Sequence, residues 1–370
     1  MVKKYKIVAD ENMPGIGALF SEIADITYAN GRDIDKEMLS NADALFCRSI
    51  TKVNASLLNN SSVQFVGTAT IGVDHLNTEW LNAQGIRWSN AAGCNAPAVG
   101  QYVLSAISYW CLKNNRSIKA LTVGILGAGN VGSILAKYLS FYGINYKLCD
   151  PPLKEGGDPR ELFDLQSIIK CDVISIHVPI TSSGLHSTEY LFSKTILEQL
   201  NKNQLLINAS RGAVIHNRDL DDYLKTQNSA TCILDVYENE PKINPSLVKN
   251  CLLATPHIAG HTLEGKVRGS WMVYVAFCKS FGLFINKNEE DLYPVNNQIK
   301  LLTSSLEQSL IDIYDISLDS KSLKSLDEKK LEVTFDLLRK DATNLGNGIT
   351  RRDFSGWEVL NSSAQFSLPY

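Results

Sequence analysis

Residues 121–151 read LTVGILGAGNVGSILAKYLSFYGINYKLCDP. An apolar run ends in a glycine turn, a helix-like stretch follows, and a second apolar run closes at Asp150, which is the order of a βαβ unit. Gly127, Gly129 and Gly132 form G-x-G-x-x-G at the strand-to-helix junction. The first permits the tight turn, the second lets backbone approach a pyrophosphate, and the third allows close helix packing, with helix N–H groups facing the phosphates. Asn130 and Val131 open the helix and are expected to touch the cofactor through backbone groups. Asp150, 18 residues after Gly132, would accept hydrogen bonds from ribose hydroxyls and repel a 2′-phosphate, which favours NAD over NADP.

Working outward, further strand-like runs follow at DVISIHVP (172–179), QLLINAS (204–210), TCILDVY (231–237) and CLLATPH (251–257). Upstream, KIVAD (6–10), ALFCRS (44–49), VQFVGTAT (63–70) and GIRWSN (85–90) suggest a separate small parallel sheet. Alternation of buried strands with helices predicts an α/β fold of doubly wound parallel sheets, with ligands beyond the strands' carboxyl ends. NAPAVGQYVLSAISYWCLK (95–113) predicts a helix bridging two domains. From about Phe281 the texture becomes polar, with a charged connection NKNEEDLYP (286–294) and a weak helical rhythm in SLDSKSLKSLDEKK (317–330). The apolar residues of LEVTFDLLRK (331–340) favour a packed role for this tail.

The chain has 370 residues and a net charge of −3 with a pI near 6.1, which lacks the basic footprint that nucleic acid binding requires. Its eight cysteines are scattered, with no CxxC, and several lie in apolar runs, so reduced, buried thiols are expected. No signal-like segment and no long apolar stretch is present, and a soluble, cytoplasmic protein with no membrane partner is the expectation.

Three ionisable residues follow strand-like runs: Arg211 in LLINASRGAV, Glu240 in LDVYENEP and His257 in LLATPHIAG. An arginine can hold a substrate carboxylate bidentately, a histidine can take the hydroxyl proton as a hydride leaves the same carbon, and a glutamate can hold the imidazole. Equally, Arg211 before Gly212 can be a turn residue and Glu240 before Pro241 a loop charge. His257 and His261 have the i, i+4 spacing of a metal pair, but Pro256 and Gly260 argue against one helix through both. No third ligand is clustered nearby, so no metal is expected. His75, His177, His186 and His216 read as packing or surface residues.

The runs ADENMP (9–14), CRSITKVN (47–54), VGTATIGVDHLN (66–77), WSNAAGCNA (88–96), LINASRGAV (206–214), LDVYENEP (234–241) and TPHIAGHTLEGK (255–266) together resemble the D-2-hydroxyacid dehydrogenase family over nearly the whole chain. The resemblance implies an NAD-dependent oxidoreductase acting on the CH–OH group of a phosphorylated D-2-hydroxy acid. Arg211, Glu240 and His257 would be catalytic, with His257 carrying the proton. Cofactor contacts are implied at Asn130, Val131, Asp150, Ala209, Ser210, Arg211, Asp235 and Gly260, beside the three glycines. Substrate contacts are implied at Ser49, Thr70 and His261.

The same resemblance implies two Rossmann-like domains: a discontinuous substrate domain of residues 1–95 and 258–285, and an NAD domain, 96–257, inserted between. A small α+β dimerisation domain of residues 286–370, containing FDLLRKD and TRRDF, would make a homodimer. The chain departs from the family pattern at His261, where tyrosine is common, at Val178, where threonine often touches the cofactor, and at Gln101, where glutamate is frequent. A 3-phosphoglycerate dehydrogenase and a non-enzymatic NAD-sensing scaffold or corepressor are the competing readings.

Overall fold

The computed structural model describes residues 4–226, 228–301, 305–341, 351–359 and 367–369. The chain separates into two compact units, residues 1–95 with 262–295 and residues 96–261 with 296–370.

The first unit is a parallel five-stranded sheet of β1 (Tyr5–Asp10), β2 (Ala24–Ala29), β3 (Ala44–Cys47), β4 (Phe65–Thr68) and β5 (Arg87–Asn90), in the order β2-β1-β3-β4-β5. β3 and β4 are buried along their whole length, as expected of strands covered on both faces. One face packs on the helix Leu263–Phe281 through a cluster of Phe20, Phe46, Phe65 and Phe277, whose rings meet mostly edge to face. Gly67 makes this approach possible: a Cβ there would stand 2.5 Å from Val273 Cγ1. β2 escaped the sequence reading because ADITYA is an edge strand that is half wet and carries no continuous apolar run.

The second unit holds β6 (Thr122–Leu126), β7 (Asn145–Cys149), β8 (Val173–Ile176), β9 (Leu205–Asn208), β10 (Thr231–Leu234) and β11 (Leu253–Ala254) in a parallel sheet ordered β11-β10-β9-β8-β6-β7. A one-residue parallel bridge, Leu148 to Leu162, adds the remnant of a further strand outside β7. With it the order is that of a dinucleotide-binding sheet, whose direction of winding reverses between β6 and β8. The helix Ala96–Lys113 is buried on almost every face, and Gly100 lets it lie against the helix Asn130–Phe141, since a Cβ there would meet Tyr138 at 2.9 Å. All eight cysteines are buried and free.

The units differ from the expected boundaries at two places. The return to the first unit falls at Thr262 and not at 258, because Ile258 and Ala259 are tied by their N–H groups to Asp235 of the second unit. The tail does not stand apart from residue 286: it divides at Asn296, and the portion from Asn296 onward belongs to the second unit. Its helices Leu306–Ile313 and Ile316–Lys324, and the stretch with the two-stranded pair β12 (Asn297–Ile299) and β13 (Trp357–Val359), send Leu310, Ile313, Tyr314, Ile316, Phe354 and Trp357 into the core around Ala96–Lys113, while the helix Glu328–Asp341 sends Leu331 and Phe335 into the cluster that holds Tyr237 and Leu247. So few apolar side chains gain more by joining an existing core than by forming a small one alone.

Candidate active site

The glycine turn has the geometry its sequence implies. Gly127 has φ +97°, a conformation costly for any residue with a Cβ, and its backbone lies against that of His177 beyond β8. A Cβ on Gly132 would stand 2.0 Å from the Gly127 carbonyl oxygen, whereas one on Gly129 would meet nothing within 4 Å. The space in front of Gly129 is thus open to a ligand, while Gly132 is fixed by packing. Gly129 caps the helix Asn130–Phe141 without a side-chain hydrogen bond, so the first helical N–H groups face that space. Asp150 directly follows β7, with one carboxylate oxygen accepting from Ala128 N at 2.9 Å and the other from Leu153 N at 3.1 Å. Each oxygen keeps a lone pair for one hydroxyl of a ribose diol. An open glycine cradle next to a fixed carboxylate fits a dinucleotide.

Arg211, Glu240 and His257 follow β9, β10 and β11, three neighbouring strands, and the loops that carry them are tied together. Asn208 organises the first: its amide oxygen accepts from Ser210 N and Oγ, and its amide nitrogen donates to the Arg211 carbonyl at 3.0 Å. Gly212 presses this loop on the next, since a Cβ there would stand 1.9 Å from the Tyr237 carbonyl carbon. Asn217 and Glu238 close the contact reciprocally, with Asn217 N donating to Glu238 Oε2 at 2.8 Å and Glu238 N donating to Asn217 Oδ1 at 3.0 Å.

In the second loop Glu240 accepts from Tyr237 N at 2.9 Å through Oε1, and Oε2 lies 2.7 Å from His257 Nδ1. Burial pushes the Glu240 carboxyl up, but the hydrogen bond and charge of His257, the Tyr237 N–H and the charge of Arg339 outweigh it and hold it below the usual range. Glu240 is therefore ionised near neutrality, and it fixes a proton on Nδ1, which makes Nε2 the unprotonated nitrogen of this partly exposed imidazole.

His257 has φ +56°, a left-handed conformation that costs a non-glycine residue about 1–3 kcal/mol and persists only where neighbours impose it. Asp235 supplies much of that constraint: it is almost fully buried and accepts from Thr255 Oγ1 at 2.6 Å, Ile258 N at 2.8 Å and Ala259 N at 2.9 Å. Tyr102 completes the network through Thr255 Oγ1 at 2.7 Å. Asp235, expected as a cofactor contact, thus has a visible task in holding the histidine loop. Ser210 likewise spends its hydroxyl on Asn208, while Ala209 and Gly260 are half-buried on the same loops. None of Asn208, Asn217, Glu238 or Thr255 was singled out in the sequence, because their side chains act on backbone rather than on a ligand.

His261 is half-buried, with Nδ1 at 3.1 Å from the Arg339 carbonyl, so this ring is oriented by the tail helix Glu328–Asp341. No helix runs through His257 and His261, and no metal-ligating cluster occurs among the described residues. His177 is half-buried with its ring against Ser175 Oγ at 2.8 Å, and desolvation of the ring pushes its imidazole down to about 3; His186 and His216 pair with Glu155 and Asp219.

In the first unit Ser49 and Thr70 follow the adjacent strands β3 and β4. Ser49 is exposed, and Thr70 Oγ1 donates to Gly72 O at 2.9 Å while meeting Thr68 Oγ1 at 2.8 Å. Arg48 lies 3.1 Å from the buried Asp10 carboxylate. Burial pushes the Lys266 ammonium down, and the charge of Arg48 adds to the effect. Two cations therefore gather in this region.

A glycine cradle beside a fixed carboxylate, with an arginine, a glutamate and a histidine just past β9, β10 and β11, is an arrangement suited to a dinucleotide-dependent oxidoreductase of hydroxy acids. Residues 108–259 match the family model described as D-isomer specific 2-hydroxyacid dehydrogenase, NAD binding domain. The erythronate-4-phosphate dehydrogenase of Pseudoalteromonas atlantica is 40% identical over 363 residues, covering 96% of this chain and 95% of that protein. The enzyme of the same name from Shewanella loihica is 40% identical over 364 residues, covering 97% and 95%. The NAD+-bound 3-phosphoglycerate dehydrogenase of Entamoeba histolytica shares the fold with a TM-score of 0.65 at 21% identity, over 76% of this chain and 96% of that one. The chain belongs to the D-isomer specific 2-hydroxyacid dehydrogenase family, and within it to the erythronate-4-phosphate dehydrogenases.

Proposed function

We propose that this chain oxidises the 2-hydroxyl of 4-phospho-D-erythronate to (R)-3-hydroxy-2-oxo-4-phosphooxybutanoate in pyridoxal 5′-phosphate (vitamin B6) biosynthesis, in the cytoplasm. The observation that carries the reading is the Glu240–His257 pair at 2.7 Å, with the Glu240 loop packed against the Arg211 loop at Gly212. NAD, when bound at the glycine cradle, accepts the hydride released from C2. Arg211 holds the substrate carboxylate through its guanidinium and fixes the orientation of C2. His257 Nε2 takes the hydroxyl proton as the hydride departs and returns it in the reverse direction. Glu240 keeps the imidazole in the required tautomer and stabilises the imidazolium that forms.

Ser49, Thr70 and His261 are the proposed substrate contacts. Arg48 and Lys266 supply positive potential suited to a phosphate. The exposed Leu318, Val333 and Leu337 on the tail helices offer an apolar face for a homodimer. Eight free, buried thiols fit a reducing compartment.

The test is NADH formation by the purified protein on a panel of 4-phospho-D-erythronate, 3-phosphoglycerate and unphosphorylated D-2-hydroxy acids. Turnover of the first with the highest kcat/KM is the expected result. Preference for 3-phosphoglycerate overturns the substrate assignment, and inertness towards every acid together with NAD-dependent capture of a partner protein overturns the enzymatic reading. His257→Asn is expected to abolish turnover while sparing NAD binding.

A further inference from the structure

The tail of the second unit reaches the histidine loop at a residue that no feature of the reaction accounts for. Arg351 is buried, with 1% of its surface exposed, although it carries a charge. Its guanidinium nitrogens donate to the carbonyl oxygens of Ile258 and of Ala259, the latter at 3.1 Å. These are the two residues after His257. Their N–H groups are bound by the Asp235 carboxylate, so the loop is gripped from its donors by one buried charge and from its acceptors by another of opposite sign.

The surroundings of Arg351 are built to keep it there. Its guanidinium lies over the Tyr314 ring at 4.0 Å, and the Tyr314 hydroxyl donates to Asp319 Oδ2 at 2.6 Å. Burial pushes the Asp319 carboxyl up, and Arg351 acts against that. From the same segment Ser320 Oγ accepts from Ala254 N at 3.0 Å, on the short edge strand that leads to His257. Burying a guanidinium is costly, and its fork matches two neighbouring carbonyls in a way no other side chain does. The left-handed backbone of His257 is the feature such a clamp would maintain.

We propose that Arg351 is a positioning residue for the proton carrier: the carboxyl-terminal segment, through a guanidinium bound to the Ile258 and Ala259 carbonyls, holds His257 in the backbone conformation that presents its imidazole to Glu240. The proposal rests on the acid–base role proposed for His257. It makes the tail part of the active-site scaffold of its own chain, in addition to any role in assembly.

The experiment compares full-length wild type with Arg351→Ala, Arg351→Lys and His257→Asn, measuring kcat, KM for both substrates and NAD affinity, with and without millimolar guanidinium. Displacing a catalytic group by about 1 Å costs roughly 10²-fold, so Arg351→Ala is expected to lose about that in kcat with NAD affinity kept, and guanidinium is expected to restore part of it. Arg351→Lys, with one point donor group in place of a planar fork, is expected to fall between. Wild-type kcat in Arg351→Ala overturns the proposal, as does a loss that guanidinium does not relieve or that NAD affinity shares. Should Arg351→Ala fail to fold, Arg351→Lys decides: undiminished kcat there overturns the proposal. An active His257→Asn would refute the acid–base reading itself, a result separate from any obtained at position 351.

Discussion

Replacing Gly212 by alanine tests whether the arginine and glutamate loops are one mechanical unit. The added Cβ would stand 1.9 Å from the Tyr237 carbonyl carbon, 2.0 Å from its oxygen and 2.6 Å from Glu238 N. Ordinary carbon–carbon contact begins near 3.5 Å, so the loops must separate by ~1.5 Å, and the obstacle is backbone that cannot rotate aside. Separation of that size breaks the reciprocal Asn217–Glu238 bonds and moves Arg211 away from the Glu240–His257 pair. The expected consequences are a fall of roughly 10²-fold or more in kcat/KM for the hydroxy acid and a stability loss of about 1–3 kcal/mol from overpacking. NAD affinity should fall far less than kcat/KM, because the glycine cradle lies at β6 and β7 and only the contacts expected at Ala209, Ser210 and Arg211 ride on the displaced loop. Steady-state kinetics, NAD titration by fluorescence and denaturant unfolding measure the three quantities. Wild-type kcat/KM in a stably folded Gly212→Ala would refute the coupling of the two loops.

Gly129→Ala meets no protein atom, so its stability should match wild type while NAD affinity falls; unchanged affinity by titration would remove Gly129 from the pyrophosphate site. Glu240→Gln retains the shape of the side chain without its charge and is expected to lower kcat roughly 10²-fold or more, with KM for NAD unchanged, by steady-state assay. His177 gives a pH prediction: burial lowers its folded pKa from 6.5 to about 3, so on acidification the unfolded chain binds this proton first. Its contribution to stability is fully present above pH 6.5 and is lost as pH falls from 6.5 towards 3, amounting to ~2 kcal/mol at pH 5. Denaturant unfolding at pH 7 and pH 5 should show His177→Gln less acid-sensitive than wild type, and equal sensitivity would contradict the burial argument.

Much of the site was legible because it obeys local rules. A glycine with positive φ, a glycine under a helix and a carboxylate at the end of the second strand are demanded by backbone sterics within some thirty residues, and the spacing of Gly127, Gly129, Gly132 and Asp150 records them. Arg211, Glu240 and His257 could be placed just past strand-like runs, and the parallel sheet set those three strands side by side. β2 was hidden by its exposed edge, and the division of the tail at Asn296 depended on which core its few apolar residues would join.

By itself the sequence indicated the two sheets and the dinucleotide turn, since each depends on residue type and short-range periodicity, and its family resemblance singled out Arg211, Glu240 and His257 as candidate reacting groups. Only the tertiary structure decided how those groups are held: the Gly212 contact, the Asn217–Glu238 clamp, Asp235 turned inward to the histidine loop and Arg351 reaching it across 93 residues. Such bonds join side chains to distant backbone, and a backbone carbonyl offers the same acceptor whatever residue carries it, so the pairing leaves no mark on the chain order.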